Sequence, residues 1–296
     1  MTELSPATRV GLGVLALIVL LVGERARPLR RVTQSKWRRV VVNVAFGVVG
    51  GGAVALVYKP VVIGLAEQAR HSGFGVLHWV HLPAWASALL GFILLDYTLW
   101  IWHLLNHSVP VLWRFHAAHH LDLDLDASTA LRFHPGELLL SVPFRALQVA
   151  IIGVDVPILL TWEAALLVAT EFHHSNLCLP LRFERLLRAV FVTPRMHGIH
   201  HSIVPAEVNS NFGTLLTAWD RLHRTFVHGV RQRDIVIGLA EYRNPDRLRF
   251  LSSLAFPFTR GLRPRPFVRE GGAQRPGHGR AVRKIAARDD GLHRRA

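Results

Sequence analysis

Three histidine blocks with helical spacing constrain this chain more than any other feature of its sequence. They supply eight imidazoles, which belong to His103, His107, His116, His119, His120, His197, His200 and His201. The second and third blocks share the spacing His-xx-His-His. Residues three or four positions apart lie on one face of a helix, so each block directs two or three imidazoles the same way.

The number of imidazoles indicates more than one metal ion. Neutral imidazole binds iron, zinc, copper and nickel. The chain has one cysteine and no HExxH sequence, so it offers neither a thiolate site nor a metalloprotease site. One ion rarely takes more than six ligands, so eight imidazoles predict two metals in a shared cavity. Without metal, these buried or half-buried imidazoles would leave many polar groups in need of partners.

Apolar runs predict that the chain crosses a membrane. Residues 10–23, 40–58 and 85–105 form three apolar stretches, of which the first two carry no charge. The first is interpreted as a retained span, since its basic cluster follows the apolar run, whereas a signal peptide has it in front. Residues 59–83 predict a loop and an amphipathic helix at the outer interface. Residues 138–170, broken at Gly153 and Pro157, predict two short helices that enter and leave on one side.

The basic residues between the first two spans predict the orientation. Residues 24–39 are strongly basic, and the positive-inside rule places them in the cytoplasm. Counting spans from that point puts the histidine blocks on the same side. The sequence therefore predicts an all-α integral membrane helical bundle with a cytoplasmic, histidine-lined di-metal cap, in a bacterial inner membrane.

Several carboxylates lie near the histidine blocks in the sequence, and each predicts a different role. Asp96 lies seven positions before His103 on one helical face, and we expect this intramembrane carboxylate to orient an imidazole through its free ring nitrogen. The alternating Leu-Asp run at residues 121–126 lacks the glycine and glutamate of an EF-hand, so a solvated turn is expected. The Glu-xx-His motif occurs once, at Glu171 and His174, which argues against a carboxylate-bridged di-iron bundle.

The sequence around the histidines resembles the fatty acid hydroxylase and sterol desaturase superfamily. The matching motifs, in order within residues 85–227, are DYTLWIWHLLNH, LWRFHAAHH, TALRFHPGE, HHSNL, TPRMHGIHHS and NSNFGTLLTAWDRL. The resemblance implies an integral membrane enzyme that holds two iron ions in a histidine cage and uses dioxygen to hydroxylate or desaturate a lipid. It adds His174 as a ninth candidate ligand.

Further site residues follow from the same motifs. Beside Asp96, the resemblance makes His134, Glu137 and Asn176 catalytic-site candidates. His134 and Glu137 fall in the Arg-Phe-His-Pro-x-Glu pattern, where supporting roles are expected, and His134 as a ligand stays an alternative. The implied organisation is N-terminal spans with a basic cytoplasmic loop at 1–84, a catalytic domain at 85–227, its extension at 228–258 and a basic, disordered tail at 259–296.

The sequence also bears on partners and on rival functions. It has no GxGxxG, haem-attachment or cysteine-cluster motif, so electrons must come from a separate reductase, ferredoxin or cytochrome-type donor. Nucleic acid is not an expected partner. The basic residues behind the net charge of +15 lie next to membrane spans, and no nucleic-acid motif is present. The alternative function is a non-catalytic membrane metal-binding or carrier protein, which would need successive sites along its spans.

Overall fold

The computed structural model describes residues 5–259, which are helical and contain no β-strand beyond isolated bridges. The helices of the bundle are α1 (Pro6–Ala26), α2 (Lys36–Ala53), α3 (Lys59–Ser72), α4 (Val76–Trp79), α5 (Ala84–Ser108), α6 (Pro110–His120), α7 (Pro135–Ile152) and α8 (Val156–His174). Five short helices follow, which are α9 (Leu181–Leu187), α10 (Pro194–His200), α11 (Pro205–Val208), α12 (Ala218–Leu222) and α13 (Phe250–Ala255). The predicted tail, apart from Thr259, lies outside the described residues.

Five helical segments are long and apolar enough to cross a membrane. They are Pro6–Ala26, Lys36–Trp79, Ala84–Ser108, Pro135–Ile152 and Val156–His174. Their outward side chains are apolar and exposed, as a lipid environment requires. The predicted all-α membrane fold is confirmed, and the chain is an integral membrane protein.

Helix α1 lies at the edge of the bundle and packs against α8. Its start is fixed by Ser5, whose side chain accepts a hydrogen bond from the backbone N–H of Thr8, and by Pro6 in the first turn. A β-carbon added at Gly13 would lie 2.5 Å from a methyl carbon of Leu167. The missing side chain therefore lets α1 approach α8 closely, as small residues do between membrane helices.

Residues 59–83 were expected to hold a loop and an amphipathic helix, and the structure places helix α3 first, with non-helical residues only from Gly73 onward. Helix α2 continues through a π-helical turn at Val54–Tyr58 directly into α3. Pro60 removes one backbone donor, but the π-helical turn changes the hydrogen-bond spacing just before it, so the helix runs past the proline. The apolar face of α3 then packs on α7 with Val62, Ala66 and Ala69 buried.

Helices α7 and α8 form the expected hairpin, but neither helix is short. Each is long enough to cross the membrane. The turn between them begins at Gly153, whose φ of 71° lies in the left-handed region that favours glycine. Together with α3 and α5, these helices enclose the main apolar core, which contains Leu95, Val149 and Trp162.

The Leu-Asp run after α6 is buried, so the expected solvated turn is wrong. Asp122, Asp124 and Asp126 are at most 6 % exposed. Arg39 at the start of α2 forms ion pairs with Asp122 and Asp126, while Asp124 accepts hydrogen bonds from the backbone of the α1–α2 loop. Burial alone would raise the pKa of Asp122, but the charge and hydrogen bonds of Arg39 lower it to about 2. These contacts place the basic loop and the histidine-bearing cap at the same end of the bundle.

Candidate metal centre

Nine histidines converge at the cap end of the bundle in two groups of ligand atoms. The first group contains His103, His107, His116, His120 and His200, and the second contains His119, His174, His197 and His201. Within each group, one ring nitrogen per residue lies within 4.8 Å of the others. The structure thus brings together the same nine histidines that the sequence analysis named as candidate ligands.

Four helices supply these side chains. Two histidines come from α5, three from α6, one from the end of α8, and three from α10 and the residue after it. Pro110 and Pro194 occupy the first turns of α6 and α10, where a missing N–H costs nothing, and so they fix where these helices begin. Each histidine block therefore presents its imidazoles on one face, as its spacing predicts.

The second group has ring nitrogens packed within hydrogen-bond distance of one another. His174 Nε2 lies 3.0 Å from His119 Nε2 and 2.9 Å from His197 Nε2, which in turn lies 3.1 Å from His201 Nε2. The Nδ1 of His174 lies 2.8 Å from the Thr170 carbonyl, so it carries the proton and leaves a lone pair on Nε2. A cation among these nitrogens would satisfy lone pairs that face one another.

The first group contains buried ring nitrogens with no hydrogen-bond partner among the described residues. They are both nitrogens of His107 and His120, and the Nε2 atoms of His116 and His200. An unpaired buried polar atom costs roughly 1–3 kcal/mol, so a cluster of them calls for a common ligand. The donor set of both groups consists of nitrogen alone, which suits iron, zinc or copper better than calcium or magnesium.

The cap imidazoles are held in the neutral form that metal binding requires. Burial, reinforced by the neighbouring imidazoles, lowers the pKa well below its ordinary value for His119, His120, His197, His200 and His201. Their lone pairs are therefore available at neutral pH.

An extended segment between α11 and α12 orients several rings through its backbone. The carbonyl oxygens of Ser210, Phe212 and Thr214 lie 2.8–2.9 Å from the Nδ1 atoms of His200, His103 and His173. For His200 and His103, such bonds fix the tautomer and turn Nε2 toward the first ligand group. The segment is itself held by Asp220, whose carboxylate accepts hydrogen bonds from the backbone N–H groups of residues 212 and 213. Asp220 was missed, although it stands in the TAWDRL motif.

Glu137 contacts a candidate ligand directly. Its Oε1 lies 2.9 Å from His116 Nδ1 and 3.3 Å from the amide nitrogen of Asn106. The carboxylate therefore directs His116 Nε2 toward the first group, which is the supporting contact expected from its motif.

His134 has both ring nitrogens occupied away from the two groups. Nδ1 accepts a hydrogen bond from the Gly136 N–H at the start of α7, and Nε2 donates to the carbonyl of Leu254. The alternative that made His134 a ligand is therefore wrong, and the residue joins α7 to α13.

Asp96 does not orient an imidazole, so that expectation is wrong. Its carboxylate accepts hydrogen bonds from Trp219 Nε1 at 2.7 Å and from the Leu216 N–H at 3.2 Å. The ring of His103, seven residues on, bonds the Phe212 carbonyl instead. Asp96 thus anchors the segment before α12 rather than the ring itself.

Asn176 also lies away from the imidazoles. Its side chain pairs with the backbone N–H and carbonyl of Arg30, and its backbone N–H donates to Glu24. These contacts tie the end of α8, which bears His174, to the α1–α2 loop. The structure gives Asn176 a positioning contact in place of the expected catalytic one.

A cavity extends from the imidazoles into the membrane-spanning part of the bundle. Its walls are the facing sides of α5, α7 and α8, and they include Leu99, Trp102, Leu138 and Leu166. His173, which the sequence analysis did not name as a ligand, lines it as well, with its ring centroid 4.1 Å from that of His197. The adjacent histidines at the start of the HHSNL motif are the sequence feature that could have indicated His173.

Comparison with known proteins identifies relatives over most of the chain. The fatty acid hydroxylase family model matches residues 88–225. The ornithine lipid hydroxylase OlsE of Rhizobium tropici is 30% identical over 259 residues, which are 85% of this chain and 75% of that protein. Cholesterol 25-hydroxylase of Mus musculus is 29% identical over 50% of this chain and 53% of its own length. Human alkylglycerol monooxygenase is 28% identical over 51% of this chain and 32% of its own length. No solved structure matches the chain.

Proposed function

The chain belongs to the fatty acid hydroxylase family, and from that membership we propose that it is a membrane-bound di-iron monooxygenase that hydroxylates a C–H bond of a lipid. Its relatives are lipid hydroxylases and monooxygenases, so the chain is an oxidoreductase that acts on lipids. The observation that carries the proposal is the pair of nitrogen ligand groups at one end of an apolar cavity inside a membrane bundle.

Each histidine group is proposed to hold one ion. Iron bound there would supply the activation of dioxygen and the cleavage of an unactivated C–H bond. The protein's own contribution is positional: Glu137 fixes the ring of His116, and the carbonyls of Phe212 and Ser210 fix His103 and His200. The apolar cavity walls exclude water from the place where the substrate carbon would lie.

The reaction requires a partner that delivers electrons. Insertion of one oxygen atom of dioxygen reduces the other to water and consumes two electrons and two protons. The sequence carries no flavin, nicotinamide or iron–sulfur motif, which supports a separate reductase, ferredoxin or cytochrome-type donor.

The cap is proposed to face the cytoplasm of a bacterial inner membrane. The contacts between Asp124 and the α1–α2 loop put the basic residues and the imidazoles at the same end of the bundle. Basic loops are retained on the cytoplasmic side, so the donor would approach from that compartment.

The rival function, a metal carrier, is less well supported. A carrier needs successive sites along its spans. Within residues 5–259, the candidate metal-binding groups lie together at one end of the bundle.

The test is the metal content of the detergent-solubilised protein after growth on iron-57, with Mössbauer spectra. We expect about two irons per chain as a coupled pair, and hydroxylated product when lipid, dioxygen and a reductant are supplied. Ornithine lipid is the first substrate to try, because OlsE, which matches 85% of this chain, is named as an ornithine lipid hydroxylase.

A matched pair of variants assigns the metal to the cage. His119→Ala should lower the iron content and abolish turnover, whereas His71→Ala, at an exposed position of α3, should leave both unchanged. If the purified protein contains zinc, it is reconstituted with iron and measured again. A protein that takes up no stoichiometric metal after reconstitution would overturn the proposal.

A further inference from the structure

The cavity beside the imidazoles has a second polar end, formed by Arg145 of α7. Glu137, Ser141 and Arg145 are spaced four residues apart, so they share one helical face, and all three line the cavity. Arg145 is only 8 % exposed. At 1.5 Å per residue, it lies about 12 Å along the helix from Glu137 and the metal groups. The cavity therefore connects the candidate centre with a buried cation.

The guanidinium of Arg145 is held in a fixed orientation. Its Nη1 donates to Gln148 Oε1 at 2.9 Å, and the amide nitrogen of Gln148 donates to the Leu95 carbonyl and to the hydroxyl of Thr98. The ring of Trp162 lies under the guanidinium, with 5.0 Å between its centroid and the central carbon. An oriented guanidinium presents its remaining N–H donors as a planar fork.

The charge of Arg145 has no salt-bridge partner among residues 5–259. Glu163 interacts with it electrostatically from a longer distance, but the Oε1 of this glutamate accepts a hydrogen bond from the hydroxyl of Tyr58. One of the five guanidinium N–H groups is used within the described residues. A buried cation of this kind is costly, and within a membrane segment it usually marks a functional site.

Among residues 5–259, the wall between Arg145 and the imidazoles has no competing cation. It is formed largely by leucines and Trp102, and the hydroxyls of Ser141 and Thr170 donate to carbonyls of their own helices. A ligand that spans the cavity therefore meets an apolar wall, with the guanidinium at one end and the imidazoles at the other.

We propose that Arg145 binds an anionic oxygen of the substrate, a carboxylate or a phosphate, and so fixes which carbon reaches the metal centre. The substrate class is then an amphiphile whose reacting C–H bond lies about 12 Å from its negative charge, a span set by the helix rise between Arg145 and Glu137. The role of the ligand as a substrate rests on the proposed monooxygenase function. The binding of the anion by Arg145 does not depend on that function.

The experiment measures binding to the metal-loaded protein without oxygen, so that no turnover occurs. The probes are N-dodecanoylglycine, its methyl ester and monododecyl phosphate, titrated at pH 7.5 in a nonionic detergent by calorimetry. We expect the acid to bind about tenfold to a hundredfold more tightly than the ester, because the charge-assisted hydrogen bonds exist only with the acid. The phosphate arm shows which of the two anions the site prefers.

The Arg145→Gln variant should lose the preference for the acid while it keeps its metal content and its affinity for the ester. Arg145→Lys should retain part of the preference, because it keeps the charge and loses the fork. Arg70→Gln, at an exposed position on α3, is the matched control and should bind all probes like the unmodified protein.

Two outcomes would overturn the inference. One is an unmodified protein that binds acid, phosphate and ester equally. The other is an Arg145→Gln variant that still prefers the acid, which would mean that the carboxylate binds the metals. If the preference depends on Arg145 but no lipid is hydroxylated, the anion site stands and the monooxygenase proposal fails. If lipid is hydroxylated without any preference, only the anion site fails.

Discussion

At the scale of single residues, the candidate centre depends on side chains that touch imidazoles rather than on imidazoles alone. Glu137 illustrates this, because its carboxylate fixes the ring of His116 and also accepts from Asn106. Hydrogen-bonded partners of metal ligands typically change metal affinity or activity by about 10–100-fold when they are removed. The contact predicts a graded mutational effect.

Glu137→Ala should weaken metal retention by about 10–100-fold, because His116 would lose the acceptor that orients it. Metal retention by Glu137→Gln should lie between that of the unmodified protein and that of Glu137→Ala, since an amide oxygen still accepts the Nδ1 proton but carries no charge. The measurement is metal left after dialysis against a series of chelator concentrations. Glu67→Gln, at an exposed position of α3, serves as the control, and equal retention by all four proteins would contradict the role given to Glu137.

The nine histidines named from the sequence are the ones that the fold brings together, whereas several of their supporting contacts were not predicted. Spacing places imidazoles on one face without any knowledge of the tertiary structure, and the family resemblance adds His174. Asp96 was misjudged because its partner, Trp219, is more than a hundred residues away in the chain. Arg145 gave no signal, since its cavity exists only after α5, α7 and α8 have packed.

At the scale of helices, the bundle is assembled from elements that differ greatly in how much surface they bury. Of the residues in α1, only Gly13 and Glu24 are buried, so this helix is mostly lipid-facing although it packs along α8. The apolar runs in the sequence indicated α1 and α5 correctly. The apolar runs could not show that α2 continues into α3. A proline normally ends a helix, and the π-helical turn that accommodates this one has no clear sequence pattern.

Replacing Gly13 by leucine should destabilise the protein, because its added β-carbon would meet Leu167 and the larger side chain would push α1 away from α8. Gly11 is the matched control, since an added β-carbon there meets nothing within 4 Å. We expect Gly13→Leu to cost about 1–3 kcal/mol and Gly11→Leu to be close to neutral. Thermal unfolding in detergent compares them, and equal melting temperatures would show that the close approach contributes nothing.

At the scale of the whole molecule, the cap and the membrane spans are joined by buried charge. The ion pairs of Arg39 with Asp122 and Asp126 connect α2 to the segment after α6. Sequence reasoning assigned that segment to solvent because the run lacks the glycine and glutamate of an EF-hand. The partner that buries the carboxylates lies about eighty residues earlier, at a position known only from the fold.

The Asp122 ion pair predicts a stability that depends on pH. The folded pKa of about 2 lies below the ordinary value of 3.8, so the stabilisation is fully present above about pH 4 and is lost as the pH falls through the folded pKa. The shift corresponds to about 2 kcal/mol. Asp122→Asn should therefore be less stable than the unmodified protein at pH 6, and the gap should close toward pH 2. A gap that stays constant over this range in thermal unfolding would contradict the assignment.

The extended segment at residues 210–214 has a consequence for how this protein tolerates mutation. The groups that orient His200, His103 and His173 are main-chain carbonyls, which every amino acid carries. Side chains such as those of Ser210 and Thr214 can therefore drift without changing the ligand geometry. The genetic constraint moves to Asp220, which holds that main chain from outside the segment, and to Asn211, which holds it from within. A catalogue of tolerated substitutions would then show variation at Ser210 and Thr214, within a segment whose main chain is tightly held.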